Sequence, residues 1–302
     1  MRVFDLHCDT LCKHEDLDKN SLHLSLSKGR LFPVWAQVFA IWVDDLDTEI
    51  AEEMLWKTLF HAGDQFSKYA RAVMLCKTKA DLSKALQTQK CAAFLSIENG
   101  NALGGKLENI RKAADFGVKI ITLTWNGENR LGYGAQAENK GLKPFGIEAV
   151  REMEKYKITV DASHLSARGF DDVAVISPRP FIATHSNSFP VCGHPRNLSD
   201  DQFCIIAARN GLVGINFYPL FVNGKKSATF DDLYRHISHF LDLGGETVIS
   251  IGSDFDGADM GGDITDITSL PAFYEYLCGW LPEKNVDRLF FKNAYDFFMK
   301  NL

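Results

Sequence analysis

Residues 4–10 read FDLHCDT, from Phe4 to Thr10. Side chains on a strand alternate with period two, so His7 and Asp9 point to one side. A run through Val3, Phe4 and Leu6 belongs in a core, and a charged Asp9 inside it needs a partner. A metal ion is one such partner. A strand end with two polar residues facing water is the plainer reading. The remaining strands decide between them.

Seven more short apolar runs follow: VWAQVFAIWV (34–43), CAAFLSI (91–97), VKIITLTW (118–125), ITVDAS (158–163), FIATHS (181–186), GLVGINF (211–217) and TVISIGSD (247–254). Several are near-continuous Val, Ile, Phe and Ala, as in parallel strands buried on both faces. Helical patterns separate them. The longest covers 48–69, with Ile50, Met54, Leu55 and Leu59 on one side. Another carries a stripe through Leu107, Ile110 and Ala114 and stops at Gly117. A third is N-capped by Asp200 and stops at Gly211, and a fourth stops at Gly244 and Gly245. Eight runs separated by helices predict an α/β fold, a (β/α)8 TIM barrel of the metal-dependent hydrolase type. It would span 1–302 as a single catalytic domain. An open doubly wound sheet competes, but no GxGxxG turn follows the first run.

Composition narrows the function classes. The 302 residues are 46% hydrophobic and 24% charged, with a formal net charge of -6. That balance speaks against a nucleic-acid partner. No apolar run approaches the roughly 18 residues of a membrane span. The start shows no secretory pattern and the end no lipid-anchor pattern, which implies a cytoplasmic protein. Seven cysteines without a CxxC pair suit buried thiols in a reducing compartment, Cys8 among them.

A barrel places its active site at the C-terminal ends of its strands. The first run ends with His7 and Asp9, the third with Glu98, the fifth with His164, the sixth with His185, and the eighth with Asp254 and Asp256. Histidine and carboxylate donors without thiolate suit zinc, cobalt or manganese. One catalytic zinc normally takes three protein ligands. Five ligands suit two ions sharing a bridging carboxylate, a centre that generates a hydroxide nucleophile near neutral pH. His14, His23 and His61 lie in loop or helix contexts. His236 and His239 are three apart on a helix and read as a solvated face or, less simply, a metal clamp.

These segments together resemble the membrane (renal) dipeptidases, the M19 metallopeptidases of the amidohydrolase superfamily. FDLHCDT is similar to the family's first-strand segment, SIENG to its glutamate motif, and DASHLS and THSNS to its two later histidine motifs. HPRNLSDD is similar to its arginine segment and IGSDFDG to its last-strand motif. The resemblance spans nearly the whole chain in order. It implies a zinc-dependent dipeptidase with two Zn2+ per chain: His7, Asp9 and Glu98 on one, Glu98, His164 and His185 on the other. It implies Asp254 as the proton-transfer residue and Arg196 as the group that holds a dipeptide's C-terminal carboxylate. It also brings the expectation of a homodimer.

One position departs from the family. Its fourth strand ends in a histidine that helps bind the scissile carbonyl oxygen, and Trp125 stands there in this chain. Indole donates one hydrogen bond but carries no charge. Asn126 or another loop residue would then assist. Trp125 and Tyr218 are candidate substrate-binding residues. Trp125 also keeps open an N-acyl-amino-acid deacylase or a cyclic-amide hydrolase on the same scaffold. A metal- or peptide-binding barrel without catalysis is the third reading.

Overall fold

The computed structural model describes residues 1–302. Eight strands form one sheet: β1 (Arg2–Cys8), β2 (Val34–Trp42), β3 (Val73–Leu75), β4 (Cys91–Glu98), β5 (Val118–Thr122), β6 (Thr159–Asp161), β7 (Val213–Ile215) and β8 (Ile249–Ile251). The order is β6-β5-β4-β2-β1-β8-β7, with β3 beside the start of β4, and every pairing is parallel. Helices cross between the strands, giving an α/β fold whose parallel sheet forms a half-barrel. No helix is long and apolar enough to cross a membrane.

Seven of the eight expected runs contain these strands; the sixth does not. Residues 181–184 make only single parallel bridges, Ile182 to Asp161 and Ala183 to Val213. The cause is local. The Asp161 carboxylate accepts the backbone N–H groups of Ser163 and Thr184 at 2.9 and 3.0 Å, where a ladder would use carbonyls. β3 was absent from the expected runs; at three residues it is too short for periodicity to show.

Alternate strand positions feed different clusters, as period two requires. Phe39, Ile41 and Leu95 join a cluster that includes Leu55, Leu59 and Ile110 of the crossover helices. Phe4, Val38 and Phe94 join another, where Phe94 packs 4.4 Å from Phe298 of the last helix, Asn293–Asn301. The helix at Asp200–Ala208 corrects the capping expectation. Ser199, not Asp200, is its N-cap, in a reciprocal capping box with Gln202.

Candidate active site

The bottom of the sheet is apolar, and its C-terminal edge is not. β1 pairs regularly with β2 through Asp5, slips, and resumes at Cys8 opposite Phe39. Such a bulge re-aims side chains. It sends Cys8 into the helix-side cluster and leaves His7 and Asp9 together, 3.3 Å apart from Nε2 to Oδ2. Glu98, the last residue of β4, meets them from the side. Its Oε2 lies 3.2 Å from His7 Nε2, and its Oε1 lies 2.9 Å from His164 Nε2 and 3.7 Å from His185 Nε2. The two Nε2 atoms of His164 and His185 are themselves 2.9 Å apart. One carboxylate thus faces a different histidine group with each oxygen. Asp254 sits in the same cluster as His7 and Asp9.

Surrounding groups fix these side chains. Nδ1 of His164 meets Asn126 Oδ1 at 3.0 Å, and Nδ1 of His185 meets Thr184 Oγ1 at 2.8 Å. Thr184 in turn donates to Asp161 Oδ2 at 2.6 Å. With the proton on Nδ1, each Nε2 offers its lone pair inward, the arrangement metal-binding histidines use. Asn216 Nδ2 donates to Asp254 Oδ2 at 3.0 Å and leaves Oδ1 free of that bond. Asp256 accepts from Thr10 Oγ1 and from His23 and Leu24 N–H, so it ties loops together. Asn99, His164, Asp254 and Asp256 all have φ between 64° and 79°. Left-handed backbone at non-glycine residues clusters where a site over-determines it. Gly257 is needed for space: a Cβ there would lie 2.1 Å from Asp9 Oδ2.

Electrostatics agree with this geometry. Burial, with Arg196 and His7 nearby, holds the His164 and His185 imidazoles well below the usual histidine range. That favours the neutral imidazole, the form in which a histidine can bind a metal. Burial and then Asp9 push Glu98 up to about 7, and burial raises Asp254. Burial also opposes charge on His7, but Glu98 and Asp9 outweigh it and raise that imidazole. His7 Nε2 and Asp9 Oδ1 are buried without a hydrogen-bond partner. Crowded carboxylates, lone pairs facing one another and orphaned buried polar atoms fit a bound divalent cation, and the nitrogen and oxygen set suits zinc.

The family model for membrane dipeptidase, peptidase family M19, matches residues 1–299. The chain belongs to that family. Metal-dependent hydrolysis of dipeptides is the activity that membership carries. An uncharacterized protein in the pqqA 5' region of Klebsiella pneumoniae is 28% identical over 253 residues, 80% of this chain and 93% of that one. An uncharacterized dipeptidase of Schizosaccharomyces pombe is 33% identical over 190 residues, 60% of this chain and 46% of its own length. Among solved structures, dipeptidase AC, an M19 metallopeptidase, superimposes with a TM-score of 0.93 at 27% identity, covering 100% of this chain and 98% of that one. A Rhodobacter sphaeroides metallopeptidase, liganded with a phosphinate mimic of L-Ala-D-Ala, gives 0.94 at 25%, covering 100% and 99%.

In this M19 chain a cavity of about 490 Å3 opens over the cluster. Asp9, Glu98, His164 and Asp254 line it, and so do Trp125 and Tyr218. Trp125 stands edge-on to Trp42 with ring centroids 5.3 Å apart, making an aromatic wall. Arg196 lies elsewhere. It lines an adjoining cavity of about 440 Å3 that meets the first at His164. His194 also lines the first cavity and was missed in the sequence; its signal was its place two residues before Arg196. His236 and His239 form neither a clamp nor a solvated pair. His236 is fully buried and accepts from Ser188 N–H, while its Nε2 meets the Val222 carbonyl; His239 meets Asp200.

Proposed function

We propose that this M19 dipeptidase works with two zinc ions, His7, Asp9 and Glu98 holding one and Glu98, His164 and His185 the other. The single observation that carries the reading is Glu98, whose Oε1 faces His164 and His185 while Oε2 faces His7. Zinc bound there would polarise the scissile carbonyl and supply a nucleophilic water near neutral pH. The chain's own residues do the rest. Asp254, held through Oδ2 by Asn216, has Oδ1 available to take the proton of the attacking water and return it to the leaving amine. Burial raises its pKa, which suits a group that must both accept and donate. Arg196 reads the substrate's carboxylate end, because a planar guanidinium matches a carboxylate bidentately. Trp125 and Tyr218 wall the catalytic cavity around the substrate.

The same reading closes the sheet into a (β/α)8 barrel. Residues 181–184 take the sixth strand's place, supported by their single bridges to β6 and β7. Catalytic side chains at the strands' C-terminal ends are what that architecture leads one to expect.

The test is a substrate panel on purified protein: L,L- and L,D-dipeptides, N-acyl amino acids and cyclic amides, each with and without chelator. Chelator-sensitive cleavage of dipeptides above the other classes is expected. Faster turnover of N-acyl amino acids or cyclic amides would move the assignment to another amidohydrolase reaction.

A further inference from the structure

One buried carboxylate near the site takes no part in the mechanism. Asp5 lies two residues before His7 on β1 and is 1% exposed. Its Oδ1 accepts the N–H groups of Ser253 at 2.9 Å and of His7 at 3.2 Å. Its Oδ2 accepts Ser253 Oγ–H at 2.6 Å and Gln37 Nε2–H at 3.0 Å. An ionised carboxylate has about four lone-pair sites, and donors fill all of them here. Asp9 differs, because its Oδ1 is buried without a partner and open to an ion. Asp5 has no oxygen to spare for metal or substrate, and it belongs to neither cluster that could hold a metal.

Its partners straddle the seam between β1 and β8. The ladder there is thin: Asp5 pairs with Ile251, and the next bridge joins Cys8 to Phe255. Between those points β1 bulges, with three steps from Asp5 to Cys8 set against two from Gln37 to Phe39 on β2. The Asp5 carboxylate spans the gap. It holds the His7 N–H on one side and, on the other, Ser253, the residue before Asp254. The Asp254 N–H donates back to the His7 carbonyl at 3.2 Å, and Ser253 Oγ lies 3.0 Å from the same carbonyl oxygen. A carboxylate inside a sheet is costly unless every bond is made, and here each bond ties β1 to a neighbouring strand or to its own bulge.

We propose that Asp5, through Ser253, is a positioning residue that sets the His7–Asp9 pair against Asp254. This rests on the reading of His7 and Asp9 as zinc ligands and Asp254 as the proton-transfer residue, and it adds the clip that fixes one against the other. Removing the clip loosens the ion held by His7 and Asp9. The other ion keeps its supports, because Asp161 orients His185 through Thr184 and Asn126 orients His164.

The experiment measures stepwise zinc affinity by chelator competition, with kcat on the same samples, for Asp5→Ala, Asp5→Asn, Ser253→Ala and Gln37→Met. Asp5→Ala should weaken one zinc step about 100-fold and Ser253→Ala about tenfold, the range for groups that orient metal ligands, with the other step near wild type. At saturating zinc kcat should still fall, because Asp254 is displaced as well. Asp5→Asn keeps one oxygen for the two backbone N–H groups and should recover most of both losses. Gln37→Met removes a donor that reaches neither His7 nor Ser253, and should alter stability alone. Identical zinc steps in wild type and Asp5→Ala would overturn the proposal. If Asp5→Ala does not fold, Ser253→Ala decides: zinc affinity and kcat no different from those of Gln37→Met would overturn it too. A wild type that binds no zinc would instead remove the metal reading, and the clip's role with it.

Discussion

Two cavities of similar size share the His164 ring, and they differ in what they leave unsatisfied. In the catalytic cavity the excess is negative: carboxylates crowd together, and Glu98 is pushed up to about 7 by burial and by Asp9. In its neighbour the excess is a guanidinium, with burial lowering Arg196 to about 10. The first needs a cation and the second an anion. A dipeptidase has use for both, because it must activate water and also measure its substrate's end.

Breaking the acidic side should cost most. Asp254→Asn is expected to keep its metal and lose kcat by about 10²–10⁴-fold, the range for a general acid–base. Steady-state kinetics with elemental analysis on the same sample will show this, and near wild-type kcat would remove Asp254 from the mechanism.

The wall of the second cavity gives a pH test. Buried His236 accepts the Ser188 N–H, next to cavity residue Phe189, and burial lowers its pKa to about 4. An unfolded histidine titrates near 6.5. Between these values the unfolded chain binds a proton that the folded chain does not, so stability falls as pH drops through that window. The loss is about 3 kcal/mol by pH 4. His236→Gln should flatten this slope in chemical denaturation from pH 7 to pH 5. An unchanged slope would mean another group sets the acid sensitivity.

Arg196→Ala sharpens the comparison from the other side. It should raise KM for free dipeptides about a hundredfold, the scale of removing one partner of a buried charge pair, with little change for amides. A loss confined to kcat would place Arg196 at the reacting carbonyl instead.

Much of the acidic side was legible in the chain. His7, Asp9, Glu98, His164, His185 and Asp254 each stand at or close to the end of an apolar run, and parallel strands carry such ends to one edge. The neighbouring cavity was not. Ser186 reads as an ordinary serine after His185, and only the fold shows its hydroxyl buried and unpaired, in the lining of the cavity that Arg196 also lines. Partners across long separations were equally hidden: Asn216 on Asp254 and Asn126 on His164 are each 38 residues apart. His236 misled for the same reason, since spacing on a helix does not say which loop covers it. The sixth strand was overestimated because Asp161 takes the N–H groups its ladder would have used.

The most direct measurement is zinc stoichiometry by elemental analysis on wild type and Glu98→Gln, purified side by side. About two ions per chain are expected in wild type, and a loss of metal in the variant, since the proposed bridge would have one carboxylate serve both ions. Full occupancy in Glu98→Gln would contradict the bridge, and a wild type that takes up no metal would contradict the site.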